Sequence, residues 1–108
     1  MINTENSQAQ MRKGVLELCT LSILAKDDAY VPDIIDKLKT SKLIVVEGTL
    51  YPLLTRLKND GYLTYKWVES RSGPPRKYYK LTPLGETLLS DLKKSWEDLV
   101  ESVSKIIY

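Results

Sequence analysis

Leu50, Leu53, Leu54 and Leu57 recur at i, i+3, i+4 and i+7, and the stripe ends at Asp60-Gly61. That spacing predicts a helix over Gly48–Asp60 with four leucines on one face. At about 100° per residue, the opposite face then carries Gly48, Pro52, Thr55 and Asn59. Thr49 and Arg56 flank it on one edge, Tyr51 and Lys58 on the other. Every group that can reach outward is small, hydroxylated, aromatic-polar or basic, with no acid before Asp60. Such a face suits the major groove of DNA, although taken alone it also describes an amphipathic helix with a solvated side.

The next twenty residues weigh toward nucleic acid. Leu63, Tyr65 and Trp67 alternate with Thr64, Lys66 and Val68, and a second alternating stretch ends at Tyr79 and Leu81. This period of two predicts a hairpin over Leu63–Leu81, stiffened at its tip by Ser72-Gly73-Pro74-Pro75. Leu63, Tyr65, Trp67, Tyr79 and Leu81 should pack inward, with Lys77 on their side near the tip, where it still reaches water. From Arg56 to Lys80 there are seven basic residues (Arg56, Lys58, Lys66, Arg71, Arg76, Lys77, Lys80) and two acids (Asp60, Glu69), a local net of +5, whereas the whole chain is only +2. Positive charge concentrated where a helix meets a hairpin is what phosphate contacts require, and the combination predicts a winged helix.

The inventory narrows the function classes. At 108 residues the chain has room for one modest core. There is no histidine and one cysteine, Cys19, so neither a tetrahedral Cys/His metal site nor a Ser-His or Cys-His catalytic pair can be built. No glycine-rich phosphate loop is present. The expectation is therefore no catalytic residue, no metal and no cofactor. Cys19 lies in the apolar run Val15–Leu24 and reads as a small buried hydrophobe whose thiol pKa burial would raise. No apolar run approaches the roughly 18 residues of a membrane span, and Met1–Gln10 is too polar for a secretory signal, so a cytoplasmic protein is expected.

In chain order, Gln8–Ala25 predicts a first helix that is apolar on most sides, and so is buried partly by its own chain and partly by a second copy, with Met1–Gln10 prolonging it or fraying. Asp27 and Asp28 read as turn and capping chemistry, and Pro32 as the first position of a second helix ending near Thr40-Ser41. Leu43-Ile44-Val45-Val46 reads as a strand of two or three residues. Pro52 should lie near the first turn of its helix, which fixes that helix's start at Glu47–Thr49. Thr82 caps a last helix opened by Pro83, and Leu89, Leu92, Trp96, Leu99, Val103 and Ile106 follow at steps of 3, 4, 3, 4, 3. A seam of that length needs a partner helix, so these six residues are the expected dimer interface. The predicted fold is α+β, mostly α: a winged helix-turn-helix over residues 1–82 and a C-terminal dimerisation helix over 83–108.

Four segments carry a resemblance: Gly14–Leu24 (GVLELCTLSIL), Val46–Leu57 (VEGTLYPLLTRL), Asp60–Leu63 (DGYL) and Ser72–Thr82 (SGPPRKYYKLT). They resemble the PadR family of bacterial transcriptional regulators, in its short form with one C-terminal helix. The resemblance implies a homodimeric winged-helix repressor on palindromic operator DNA. Thr49, Tyr51, Thr55 and Arg56 would then face base edges or flanking phosphates, and Arg71, Gly73, Arg76 and Lys77 would place the wing on the backbone or in the minor groove. Lys94-Ser95-Trp96 and Tyr65-Lys66-Trp67 further resemble LmrR-like multidrug-sensing repressors. That likeness implies a planar aromatic ligand stacked on Trp96 at the dimer centre, in a pore lined also by Met11, Leu18, Leu92 and Val100. The alternatives are that Trp96 only fills the dimer core, leaving a regulator without an effector, or that the winged helix serves protein–protein contact. The chain departs from the family after Tyr30, where Val31-Pro32-Asp33 replace the frequent Gly-Tyr pair.

Overall fold

The computed structural model describes residues 2–108; Met1, where the expected polar N-terminus begins, lies outside them. The elements run α1 (Glu5–Lys26), α2 (Val31–Thr40), α3 (Glu47–Asn59), β1 (Leu63–Ser70), β2 (Gly73–Leu81) and α4 (Pro83–Ile107). The fold is a winged helix-turn-helix, mostly helical, with one two-stranded antiparallel sheet and a long C-terminal helix. None of the described helices is long and apolar enough to cross a membrane.

Helix α1 starts three residues before the expected Gln8, so the polar N-terminus prolongs it; the Glu5 N–H donates to Asn3 Oδ1 at 3.0 Å. At its other end Asp27 adopts an extended conformation, which breaks the helix as expected. Neither Asp27 nor Asp28 caps α2, however. That position falls to Tyr30, with no side-chain hydrogen bond, and Pro32 is the second helical residue rather than the first. The missing proline N–H is harmless at either place.

Both helices of the helix-turn-helix end in the same way. The Leu43 N–H reaches Leu38 O at 2.8 Å and the Lys42 N–H reaches Lys39 O at 2.9 Å, with Lys42 left-handed at φ 66°. After α3, Tyr62 N–H meets Leu57 O at 2.9 Å and Gly61 N–H meets Lys58 O at 3.1 Å, with Gly61 at φ 86°. These paired bonds close the last turn around one left-handed residue, a conformation glycine adopts freely and lysine only under strain. The expected strand at Leu43–Val46 does not form: the segment has no regular structure and pairs with no strand among the described residues, although Val46 itself is extended. The free edge of β2 is met by Ala29 instead, whose N–H and carbonyl bond Tyr79 at 3.2 and 2.8 Å. Pro52 falls in the second turn of α3, where its missing N–H leaves Gly48 O without a helical donor; both residues are exposed, so water can supply one.

Leu50, Leu54 and Leu57 of α3 are fully buried against Leu21, Ile34 and Leu38, and Leu53 is half-buried beside them. Each enclosed leucine contributes about 1.5–3 kcal/mol relative to exposure. In the hairpin, Leu63 faces Leu81 and Tyr65 faces Tyr79, and that half packs on the core as expected. Trp67 departs from the expectation. It is 64% exposed and lies toward the hairpin tip, beside Tyr65 and Lys77.

One buried group is unpaid for in hydrogen bonds. The Thr20 hydroxyl, fully enclosed on α1, has no partner among the described residues. Thr20→Val removes it with little change of shape and should stabilise the fold by about 1 kcal/mol, raising Tm by roughly 4–8 °C in a thermal melt. A lower Tm would mean that the hydroxyl is paired.

Helix α4 begins as its sequence requires: Thr82 Oγ1 accepts the Gly85 N–H at 3.0 Å and donates to Gly61 O at 2.7 Å, tying the end of α3 to the start of α4. Leu89 is buried and Leu92 half-buried, Trp96 and Leu99 still border α1, and beyond them nearly every residue of the helix is exposed. The radius of gyration, 15.7 Å, exceeds the roughly 13 Å of a compact chain of this size for that reason.

Candidate nucleic-acid interface

The outward side of α3 is a shallow, open surface formed by Tyr51, Pro52, Thr55, Arg56, Asn59 and Asp60. Thr49 is turned away from it, half-buried in a cleft shared with Val45, Val46 and the α1 residues Arg12, Lys13 and Leu16. Arg56 is already engaged: its Nη2 lies 2.6 Å from Glu17 Oε1 of α1, and its Nη1 lies 4.0 Å from Asp60 Oδ2. The Arg56 side chain is exposed and that of Glu17 half-buried, so solvent screens the pair in part and the guanidinium stays within reach of a competing anion. Nothing local in the sequence signals Glu17, which stands 39 residues away.

The hairpin has two chemically distinct faces. Pairing sets Thr64 opposite Lys80, Lys66 opposite Tyr78 and Val68 opposite Arg76. One face therefore carries Lys66, Arg76 and Lys80, all exposed. On the other face the Lys77 ammonium sits 4.1 Å from the Tyr65 ring centroid and 5.6 Å from those of Trp67 and Tyr79. This half-buried lysine rests on aromatic rings, as its strand parity predicts, and binds the wing together through cation–π attraction. Arg71 and Gly73 stand exposed at the turn. Lys66 and Lys80 join the basic surface although they were not among the expected contacts; the parity they share with Arg76 is the signal that finds them. Lys58, 5.7 Å from the Tyr65 centroid, connects the end of α3 to the wing.

A second candidate site lies where α1 meets α4. Leu18, Leu92 and Trp96 come together there with Gly14, Val15, Glu17, Ser95 and Leu99 around a depression of about 140 Å³. Met11 and Val100 do not line it; both are exposed on neighbouring turns of their helices. Trp96 is 44% exposed, and Leu99, Val103 and Ile106 continue the bare apolar stripe toward the C-terminus, while Leu89 has joined the core. Cys19 is half-buried, and desolvation pushes its thiol pKa upward, away from reactivity.

Residues 20–91 match the family model described as "Transcriptional regulator PadR-like family". Among solved structures, a PadR-like transcription factor from Bacteroides fragilis is 62% identical, with 94% of this chain and 98% of that one covered and a TM-score of 0.77. A PadR family transcriptional regulator from Eggerthella lenta superposes with a TM-score of 0.89 at 31% identity, covering 96% and 91% of the two chains. A transcriptional regulator of Mycobacterium tuberculosis is 29% identical over 96 residues, 87% of each chain. A family model spanning most of the chain and a relative this similar over nearly all of it agree with the basic wing and the four-helix frame: the chain belongs to the PadR-like family of transcriptional regulators, which are not enzymes.

Proposed function

We propose that the chain acts as a homodimeric repressor that binds palindromic operator DNA through α3 and the wing, and that a planar aromatic molecule beside Trp96 releases it. The observation that carries the DNA reading is the exposed basic surface of Lys66, Arg71, Arg76 and Lys80 alongside the hydroxyl-bearing side of α3. Tyr51, Thr55 and Arg56 face base edges or flanking phosphates; Arg71 and Gly73 bring the wing tip to the backbone, with Arg76 beside them and Lys77 bracing the hairpin. Residues 1–82 form the DNA-binding part and residues 83–108 the dimerisation helix. In the dimer the two reading helices stand about 34 Å apart, one turn of DNA.

The ligand reading rests on Trp96. The depression in one protomer, about 140 Å³, is too small for a drug-sized molecule, whose sites start near 300 Å³. Two copies meeting across a two-fold axis at Trp96 approach that size and place two indoles face to face, a slot for a flat ring system. A ligand there shifts DNA affinity only by preferring one dimer shape over the other.

Two measurements test the proposal. Arg71→Ala should weaken binding to DNA of any sequence and lower the slope of log K against log salt by about one unit, as expected for one lost phosphate contact. An unmoved slope removes Arg71 from the interface, and salt-independent behaviour of the wild type would turn the reading to a protein-binding winged helix. Trp96→Ala should abolish binding of planar dyes, followed by dye fluorescence, while the circular dichroism spectrum stays that of the wild type. Dye affinity unchanged by the substitution leaves Trp96 a packing residue and the protein a regulator without this effector site.

A further inference from the structure

The bridge between Ala29 and Tyr79 brings a residue of the α2 entry onto the wing. Antiparallel pairing at 29 and 79 sets Tyr30 beside Tyr78. Their rings stack with centroids 5.4 Å apart and planes inclined by 25°. Arg76, two residues along β2 and on the same face as Tyr78, lays its guanidinium carbon 4.8 Å from the Tyr30 centroid. None of the ion pairs among the described residues involves Arg76, in contrast to Arg56, which two carboxylates hold.

With its carbon over the Tyr30 ring, the Arg76 guanidinium is held by a cation–π contact rather than an ion pair. A guanidinium stacked on a ring uses its flat face, and its N–H donors lie in the plane at the edge. Stacking therefore restrains the side chain and keeps its rotamers from collapsing onto the hairpin, yet leaves the hydrogen-bonding fork free. A carboxylate partner would take up the fork instead. Tyr30 is itself held from two sides, by the Ala29–Tyr79 backbone bonds and by the Tyr78 ring. The platform is thus ordered before any ligand arrives.

We infer that Tyr30 is a positioning residue for DNA binding: its ring, stacked on Tyr78, holds Arg76 with its donor edge turned to the phosphate backbone. This rests on the reading of the wing as a DNA contact. Tyr30 acts through its ring, so the hydroxyl is dispensable and its effect requires Arg76.

The test measures binding of the full-length chain to a short mixed-sequence duplex by fluorescence anisotropy across a salt series. Tyr30→Ala is expected to weaken binding by about three- to tenfold, the size of a lost cation–π contact, and Tyr30→Phe to stay within about twofold of the wild type. In an Arg76→Ala background, Tyr30→Ala should add nothing. Unchanged affinity in Tyr30→Ala overturns the inference, as does a Tyr30→Phe chain as weak as the alanine variant, because the hydroxyl would then be the contact. Additive losses overturn it as well. Should Tyr30→Ala not fold, Arg76→Lys carries the test: it keeps the charge and loses the plane, so it should weaken binding about threefold or more, and undiminished affinity refutes the stacking role. Absence of salt-dependent binding by the wild type is a separate outcome; it removes the DNA reading itself, and the inference with it.

Discussion

A chain carrying Leu99→Glu together with Val103→Glu should sediment as a monomer and fail to hold DNA at concentrations where the wild type does. The two positions are one helical turn apart on α4, in the bare stripe that runs from Trp96 to Ile106. Leu99 and Val103 are 54% and 42% exposed, and Leu99 borders α1 at Val15 and Leu18, so their replacement removes some packing within the chain, and an unchanged circular dichroism spectrum must accompany the test. Glutamate is a good helix former and neither residue belongs to the enclosed core, so each change should cost about 1 kcal/mol of stability. A two-fold interface sees each change twice, and burying four carboxylates without partners costs several kcal/mol apiece, where every 1.4 kcal/mol is about tenfold in association. Losing the second reading head then removes the roughly 10²- to 10⁴-fold gain of bivalent attachment to two half-sites. Analytical ultracentrifugation reads the first effect and anisotropy the second. A variant that still sediments as a dimer would show that α4 is not the interface; a monomer that binds as tightly as the wild type would show that pairing is not needed for DNA.

Local periodicity carried most of the fold and little of the site. The leucine stripe of α3, the turn at Gly61, the two strands of the Leu63–Leu81 hairpin and the Thr82–Pro83 helix start each depend on residues within a few positions of one another, and each forms where its pattern placed it. The hairpin tip does not, because the chain turns at Arg71-Ser72 and the expected tip residues Gly73, Pro74 and Pro75 already belong to β2, with Gly73 paired to Ser70. Strand parity even anticipates Lys77 on the inner side of the wing. The misread elements are those decided by distant partners. Leu43–Val46 has the composition of a strand, but a strand needs an edge to pair with, and this segment lies in a cleft beside α1 instead. Trp67 has the right parity for the core, but it lies toward the hairpin tip and stays exposed. The same limit applies to the basic surface: its charge is visible in the count from Arg56 to Lys80, yet Glu17 on Arg56 and Tyr30 beneath Arg76 are contacts across 39 and 46 residues that no local rule supplies. Family resemblance covered part of that gap, because it names a fold in which α1, the α2 entry and the wing converge.

Gly85→Ala should be the most damaging single methyl in the chain. In the sequence this glycine reads as an ordinary first-turn residue behind the Thr82 cap, but the fold places it, buried, where α4 crosses the entry to β1. A Cβ there would stand on the Tyr62 carbonyl oxygen and 2.8 Å from Leu81 Cδ1. The Leu81 side chain could rotate aside; the Tyr62 carbonyl could not, because it accepts the Thr82 N–H at 3.1 Å and the Tyr62 N–H is itself bonded to Leu57 O. Relief must come from moving α4 away from the hairpin, which breaks the Thr82 bonds to Gly61 and Gly85 and exposes Leu81 and Leu89. Alanine is the better helix former by about 1 kcal/mol, so intrinsic propensity alone predicts stabilisation. Overpacking against fixed backbone opposes it with about 3 kcal/mol, and that term wins. Urea titration should show the transition midpoint falling by about 1–2 M, the net loss divided by an m-value near 1–2 kcal/mol/M for a chain of this size. Gly14→Ala on α1, where an added Cβ meets nothing within 4 Å, serves as the control and should be neutral or stabilising. A Gly85→Ala chain as stable as the Gly14→Ala chain would mean that the α4–hairpin crossing is looser than this close approach requires.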